Sequence, residues 1–408
     1  MIKKHSKLLA LMCVLAVAGG VTACGQKADE PTQTQEEQAP AAGTDQKSEE
    51  KAAENTQVQA SEMETIKGED VSSNIETKPE AEVESKEAAK INSGKVTYEF
   101  DLSAYESEEP VRLWVPYVPS IDYQKVSNTE ITYDKNHAKT QVNQDDYGNY
   151  MLYVEWDKDA KDRKLTYTFD VTREESQRPV FKDETEMKND PELEKFLQPS
   201  KLVPIDGKVK ELADQITEGK TTVYDKTQAI YNWIYENMER DNDVIGCGLG
   251  DVNALLDSKM GKCTDIHSVF VALCRASGIP SREVFGVRLG KDGKEADETK
   301  GQHCWNEYYQ PGTGWVSIDV ADVLKAVKND ELDKTSQEAL DLKDYYWGNL
   351  DQNRFAFANG RDLVLNPEQK DEPLNTFGYP YAEVNGKAIN FYDPDTFSYK
   401  ITYQDMNK

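Results

Sequence analysis

The run Gly261-Lys262-Cys263-Thr264-Asp265-Ile266-His267-Ser268-Val269-Phe270-Val271-Ala272-Leu273-Cys274-Arg275-Ala276-Ser277-Gly278-Ile279-Pro280 marks both ends of a helix. Ile266, Val269, Phe270, Leu273 and Cys274 recur at helical spacing. Arg275 suits the last turn, Gly278 the residue just past it, and Pro280 forbids continuation. The helix therefore begins at or beside Cys263, directly after Gly261. A thiol there faces N–H groups that have no intrahelical acceptor and the positive end of the helix dipole, and both favour thiolate. The same N–H groups can stabilise an oxyanion on an attacked carbonyl. Cys274 falls among apolar residues, where a thiol is a small inert hydrophobe. Asp265 reads as a first-turn cap.

A nucleophilic thiol needs a base, and the chain holds only four His. His5 lies in the N-terminal leader, His137 reads as a solvated residue in a polar turn, and His267 as a helix-surface or core-edge residue. His303 is better placed. Gln302-His303-Cys304-Trp305-Asn306-Glu307-Tyr308-Tyr309 reads as a strand, Gln310-Pro311-Gly312-Thr313-Gly314 as a turn, and Trp315-Val316-Ser317-Ile318-Asp319-Val320 as the returning strand. If Glu307 faces Trp315, His303 faces Asp319 directly on the same sheet face, within reach of an Nδ1–H bond that orients the ring. Cys304 then points to the other face, as core. The geometry is consistent with a Cys–His–Asp triad.

These blocks together resemble one family. Gly261-x-Cys263-x-Asp265, Leu273-Cys274-Arg275-Ala276-x-Gly278-Ile279-Pro280-x-Arg282, His303-x-Trp305-Asn306-Glu307-Tyr308 and Gly314-Trp315-Val316-x-Ile318-Asp319 are similar to the transglutaminase-like domain. The resemblance implies an α+β, papain-like core whose nucleophile heads a helix packed on a sheet. Carried over, Cys263 is the nucleophile, His303 the general base and acid, and Asp319 the orienting carboxylate. It covers 203–322 well and continues loosely through Asn349-Leu350-Asp351 and Gly360-Arg361-Asp362. Arg282 and Arg361 read as structural donors.

Upstream, Val96, Tyr98, Phe100 and Leu102 alternate with polar residues, as do Val111, Leu113 and Val115. Tyr150–Trp156 and Leu165, Tyr167, Phe169 and Val171 continue the pattern, which predicts a small antiparallel β-sandwich. Leu113-Trp114-Val115-Pro116 resembles the companion domain that precedes some bacterial members of the family. Between these strands and Cys263, Val209, Leu212, Ala213 and Ile216 mark one helix. Thr222 with Asp225 opens another, carrying Ile230, Trp233, Ile234 and Met238.

The chain's 48 Lys+Arg against 75 Asp+Glu give a net charge of −27. Such an excess repels phosphate backbones, so nucleic acid is excluded as a partner, and basic partners are favoured. Lys3, Lys4 and Lys7 precede an apolar stretch from Leu8 to Ala18, the layout of an export signal. Val21-Thr22-Ala23-Cys24 resembles a bacterial lipobox, which implies cleavage before Cys24, lipid on that residue and anchorage to a membrane surface. Residues 25–90 contain no Phe, Trp or Tyr and read as a solvated acidic tether. The expected organisation is a leader over 1–23, a tether over 24–92, a sandwich over 93–178 and a transglutaminase-like domain over 179–408 with C-terminal strands.

No cofactor is expected, and Cys263, His267 and His303 lack a compact metal-ligand spacing. Export permits disulfides, but Cys263 and Cys274 stand about 16 Å apart along one helix and cannot pair. The expected activity is thiol acyl transfer on a protein or peptide amide, ending in hydrolysis or transamidation. The reading from another class is a catalytically silent surface scaffold.

Overall fold

The computed structural model describes residues 60–182, 190–290 and 294–407. The leader, Cys24 and the first part of the expected tether lie outside them.

The first part of the fold is made of strands. β1 (Met63–Lys67), β2 (Ile91–Asp101), β3 (Val111–Pro116) and β4 (Gln124–Asp134) are followed by β5 (Ala138–Gln144), β6 (Tyr150–Trp156) and β7 (Lys164–Glu174). In β2 and β7 alternate side chains are buried: Val96, Tyr98 and Phe100 on one, Leu165, Tyr167, Phe169 and Val171 on the other. Each residue of this set enters the same apolar core, as the period of two requires.

The mixed part follows. The short α1 (Pro191–Glu194) leads to α2 (Gly207–Ile216) and α3 (Val223–Asn237), and Thr222 caps α3 by accepting the Asp225 N–H at 3.0 Å. Next come β8 (Glu239–Arg240), α4 (Val252–Ser258), β9 (Met260–Gly261) and α5 (Cys263–Ala276). β10 (Ser281–Arg288), β11 (Ala296–Asp297), β12 (Gln302–Gln310) and β13 (Gly314–Ile318) precede α6 (Val320–Asn329) and α7 (Gln337–Tyr345). β14 (Arg354–Asn359), β15 (Tyr381–Val384), β16 (Lys387–Ala388) and β17 (Tyr399–Asp405) complete the chain.

Strands β13-β12-β10-β14 form an antiparallel sheet, and α5 packs on β12 and β10. Every residue of α5 is buried, because α2, α3, α4 and α6 cover the face that the sheet leaves open. A helix apolar enough all round is a central helix, not a surface one. The fold is the α+β arrangement expected, and it fixes the head of α5 beside the middle of a sheet.

Two expectations about organisation need correction. The tether does not extend to residue 92. β1 pairs with β4, Ile75 is fully buried, and Glu76 makes a buried two-pronged ion pair with Arg173 at 2.7 and 2.9 Å. A segment without aromatics is held here by backbone pairing and one buried charge pair, which composition does not register. Beyond β14, the C-terminal strands also do not extend the papain-like core. β17 pairs with β2 and β15 with β3, so they complete the two sheets of the sandwich, ordered β1-β4-β7-β2-β17-β11 and β16-β15-β3-β6-β5. Gly94 permits this closure: a Cβ there would lie 2.1 Å from the Tyr403 ring.

Candidate active site

Cys263 is the first residue of α5, as its sequence context predicts, and is 4% exposed. Asp265 caps the helix by accepting the Lys262 N–H at 3.0 Å with Oδ2. Its Oδ1 accepts the Gly250 N–H at 2.8 Å, which ties the preceding loop to the helix head. A Cβ on Gly248, at φ +91°, would stand 2.0 Å from Asp265 Oδ2, so this close approach requires glycine. The Thr264 N–H is taken by Cys247 O at 2.9 Å. As first helical residue, Cys263 has an N–H with no acceptor within its own helix.

His303 lies on β12, and its Nε2 sits 2.7 Å from Asp319 Oδ2. The pair expected from the hairpin is therefore present, but the register and the ring atom differ. Asn306 faces Ile318 and Glu307 faces Ser317, two residues from the expected alignment. Gln310 pairs with Gly314, leaving Pro311-Gly312-Thr313 as the loop, with Gly312 at φ +68°. A shift of two preserves sheet face, which is why the partnership survives. Asp319 is not in the strand. It is the N-cap of α6, where Oδ1 accepts the Asp322 N–H at 2.9 Å while Oδ2 turns to His303. With Nε2 so engaged, Nδ1 is the ring nitrogen left to serve the cleft that His303 lines together with Cys263.

Sequence reasoning missed the groups around Asp319. Arg354 Nη1 donates to Asp319 Oδ2 at 2.5 Å and Nη2 to Asp322 Oδ2 at 3.0 Å, and the same guanidinium pairs with Asp351. Arg288 holds Asp322 from the other side at 3.0 Å. His267, expected at a helix surface or core edge, is fully buried, with Nε2 3.3 Å from Asp319 Oδ1 and Nδ1 3.4 Å from Cys304 Sγ. Arg354 is 35 residues beyond Asp319 and no local pattern joins them. His267 was visible one turn after Cys263, but its turn toward Asp319 and Cys304 was not.

The electrostatics follow from these contacts. Burial pushes the Asp319 carboxyl up, but the His303 and Arg354 charges hold it well below the usual carboxylate range. Burial and the Arg288 charge press the His303 imidazole down, yet Asp322 and Asp319 carry it above its ordinary value. Cys263 is driven well below the thiol range by hydrogen bonds from Cys247 and Cys304, with burial opposing and His303 adding a hydrogen bond and a charge. Those two thiols are correspondingly pushed well up, Cys247 by its bond to Cys263 and then burial, Cys304 by burial and then Cys263. Cys247 Sγ also lies 3.2 Å from Gln302 O, so its proton has two acceptors, and a charged Cys263 sulfur is the stronger. Cys304 is thus not a bystander on the far face. Its sulfur lies 3.6 Å from Thr264 Oγ1, next to Cys263 at the head of α5.

Cys247, Cys263, Cys274 and Cys304 are all free thiols. His303, Asp319 and Asp322 offer ligand atoms within 4.8 Å of one another, but Arg354 and Arg288 already occupy the carboxylates with positive charge. Other expectations resolve structurally. Arg282 pairs with Glu307 at 2.6 Å, and Arg361 with Glu283 at 2.9 Å. His137 is not a solvated turn residue but is buried against Asp134 at 2.7 Å. The local polar run misled, because Asp134 turns inward with it.

A cleft of about 700 Å³ opens on this centre and is lined by Cys247, Cys263, Gln302, His303, Tyr379 and Tyr392, among others. No helix among the described residues is long and apolar enough to cross a membrane.

A model of the transglutaminase-like superfamily matches residues 210–320. An uncharacterized protein of Haemophilus influenzae is 38% identical over 322 residues, covering 72% of this chain and 86% of its own length. A protein-glutamine gamma-glutamyltransferase of Pseudomonas aeruginosa is 33% identical over 69 residues, which are 16% of this chain and 10% of its own. A crystal structure of a candidate cysteine protease from Cytophaga hutchinsonii aligns with a TM-score of 0.46 at 18% identity, over 77% of this chain and 98% of that one. The family match runs across α2 to the first residue of α6 and so spans the elements that bear Cys263, His303 and Asp319. Residues 210–320, which carry Cys263, His303 and Asp319, belong to the transglutaminase-like superfamily.

Proposed function

We propose that this chain is a cell-envelope lipoprotein that performs acyl transfer at peptide or isopeptide amides, with Cys263 as nucleophile, His303 as general base and acid, and Asp319 as orienting carboxylate. The observation that carries the reading is Cys263 at the head of α5 in one cleft with His303, whose Nε2 sits 2.7 Å from Asp319 Oδ2. The Cys263 thiolate adds to the amide carbonyl, and the helix-head N–H of Cys263 donates to the oxyanion. His303 then gives its proton to the departing amine as the C–N bond breaks, leaving a thioester on Cys263. Water adds to that thioester, His303 takes the water proton, and the acid leaves with the thiolate restored. An amine in place of water gives transamidation. Hydrolysis is favoured, since water needs no second binding site beside the thioester.

The leader supports the location: a basic start, an apolar stretch and Cys24 after small residues are the parts of a lipidated export signal. Full-length protein should incorporate radiolabelled palmitate, and Cys24→Ser should not. For the chemistry, wild type and Cys263→Ala are incubated with envelope peptides in ¹⁸O-water. New carboxyl termini carrying ¹⁸O in the wild-type digest alone are expected. Amine-linked products instead would assign transamidation. Equal turnover by Cys263→Ala would remove Cys263 as nucleophile, and no product from either would favour the scaffold reading.

A further inference from the structure

The walls of the cleft differ in charge in a way that the acidic composition of the chain does not suggest. Arg240 on β8, Lys262 at the N-cap of α5 and Lys325 on α6 line it beside Cys263 and His303, and all three are half-buried. None has a carboxylate within ion-pair distance among the described residues; Arg240 reaches only the neutral Asn242 Oδ1, at 3.1 Å. The neighbouring cations are answered: Arg288 by Asp322, and Lys300 by Asp395 at 3.0 Å. The unanswered three sit on one wall. β8 pairs with β9 immediately before α5, α6 packs on β8, and Asn242 is bonded to Asn329 at the end of α6 at 3.0 Å. Asp243 on the same wall is exposed and stays out of ion-pair range of all three. On the other side, Asp297 and Asp393 have donors of their own in Thr299 N and Thr396 Oγ1.

Half-buried cations lose hydration, and without a protein partner that loss is uncompensated. Burial presses the Lys325 ammonium down, as do the Arg288 and Arg240 charges beside it, while Asp322 and Cys263 raise it in part, and an arriving anion would add to that. We propose that Arg240, Lys262 and Lys325 form a carboxylate-binding subsite, so that the substrate carries a carboxylate next to its scissile amide. The subsite rests on Cys263 being the nucleophile, and it reverses, at the cleft, the preference for basic partners that the net charge implies. Cations placed there would also concentrate anionic peptides that the remainder of the molecule repels.

Two alkylating agents of nearly equal size test this without a known substrate. Iodoacetate bears a carboxylate and iodoacetamide does not. Their rates at Cys263 of the full chain, each normalised to free glutathione, are read by mass spectrometry of the labelled peptide. The expected iodoacetate preference is about tenfold or more, falling with added salt. It should collapse toward one in Lys325→Met and in Arg240→Gln, either of which suffices if the other does not fold. Lys210→Met, on the exposed face of α2, should keep it. Short peptides then separate the two carboxylate sources. Protection of Cys263 from iodoacetamide by an amidated Glu peptide assigns a side-chain carboxylate, and protection by a neutral peptide with a free terminus assigns a terminal one. Low-pH labelling by iodoacetamide with no iodoacetate preference would discard the subsite and keep the nucleophile. Absence of low-pH labelling by either reagent would discard the nucleophile as well.

Discussion

Arg354→Met should cost about 3–5 kcal/mol of stability at neutral pH, the usual penalty for removing one partner of a buried ion pair. The guanidinium is fully buried and bonds Asp319, Asp322 and Asp351, while also lying 5.4 Å from the Trp305 ring centre. Met fills the space and leaves Asp351 without its cation, while Asp319 keeps only His303 and Asp322 keeps Arg288. The sign with pH follows from linkage. In the folded protein burial pushes these carboxyls up, but Arg354 and its neighbours hold all three below the ordinary range. Their stabilisation is complete above the unfolded carboxylate pKa, about 4, and drains away as pH falls through the depressed folded values. The deficit of the variant should therefore hold from pH 7 down to about pH 4 and shrink as the pH falls further. Urea denaturation at pH 7 and at about pH 3 measures it, with Arg354→Lys recovering part of the loss. A deficit below about 1 kcal/mol at pH 7 would show that the cluster is not held by this charge.

Asp319→Asn should lower turnover about 10⁴-fold, the scale seen when the carboxylate behind a catalytic imidazole is neutralised. The expected fold is intact. Asn can still accept the Asp322 N–H that caps α6, and Arg354 keeps Asp322 and Asp351. What changes is His303, which loses the negative charge at 2.7 Å that raises its proton affinity. A less basic imidazole stabilises the Cys263 thiolate less, so the pH at which Cys263 alkylates should move up toward the ordinary thiol range near 8.5. A structural role alone would lower the amount of folded protein and leave that pH unchanged. Unaltered turnover with an unaltered alkylation profile would remove Asp319 from the reaction.

What could be read from the sequence was local. The bounds of α5 follow from Gly261 before it, the Asp265 cap and the Gly278–Pro280 stop, all within a few residues of one another. The alternating strands β2, β3, β6 and β7 lie where Tyr98, Leu113, Leu152 and Phe169 place them. His303 and Asp319 were legible as partners because parity of register survives a shift of two. The register itself was not legible, since it depends on closing the hairpin at Gln310 and Gly314 around three loop residues. Nor were contacts made across long stretches of chain. Arg354 reaches Asp319 over 35 residues, Glu76 reaches Arg173 over 97, and β17 pairs with β2 across the whole mixed region that lies between them in the sequence. Cys304 shows the limit most clearly: alternation assigns it to the opposite sheet face from His303, but that face receives the head of α5, where Thr264 Oγ1 and His267 Nδ1 lie 3.6 and 3.4 Å from its sulfur.

The most direct measurement is the pH dependence of iodoacetamide labelling, resolved by cysteine, on the folded chain. Cys263 should alkylate well below pH 8.5, while Cys247, Cys304 and Cys274, whose thiols are all pushed up, remain unlabelled over the same range. Labelling of Cys263 only at ordinary thiol pH, or of Cys247 ahead of it, would contradict a thiolate poised at the head of α5.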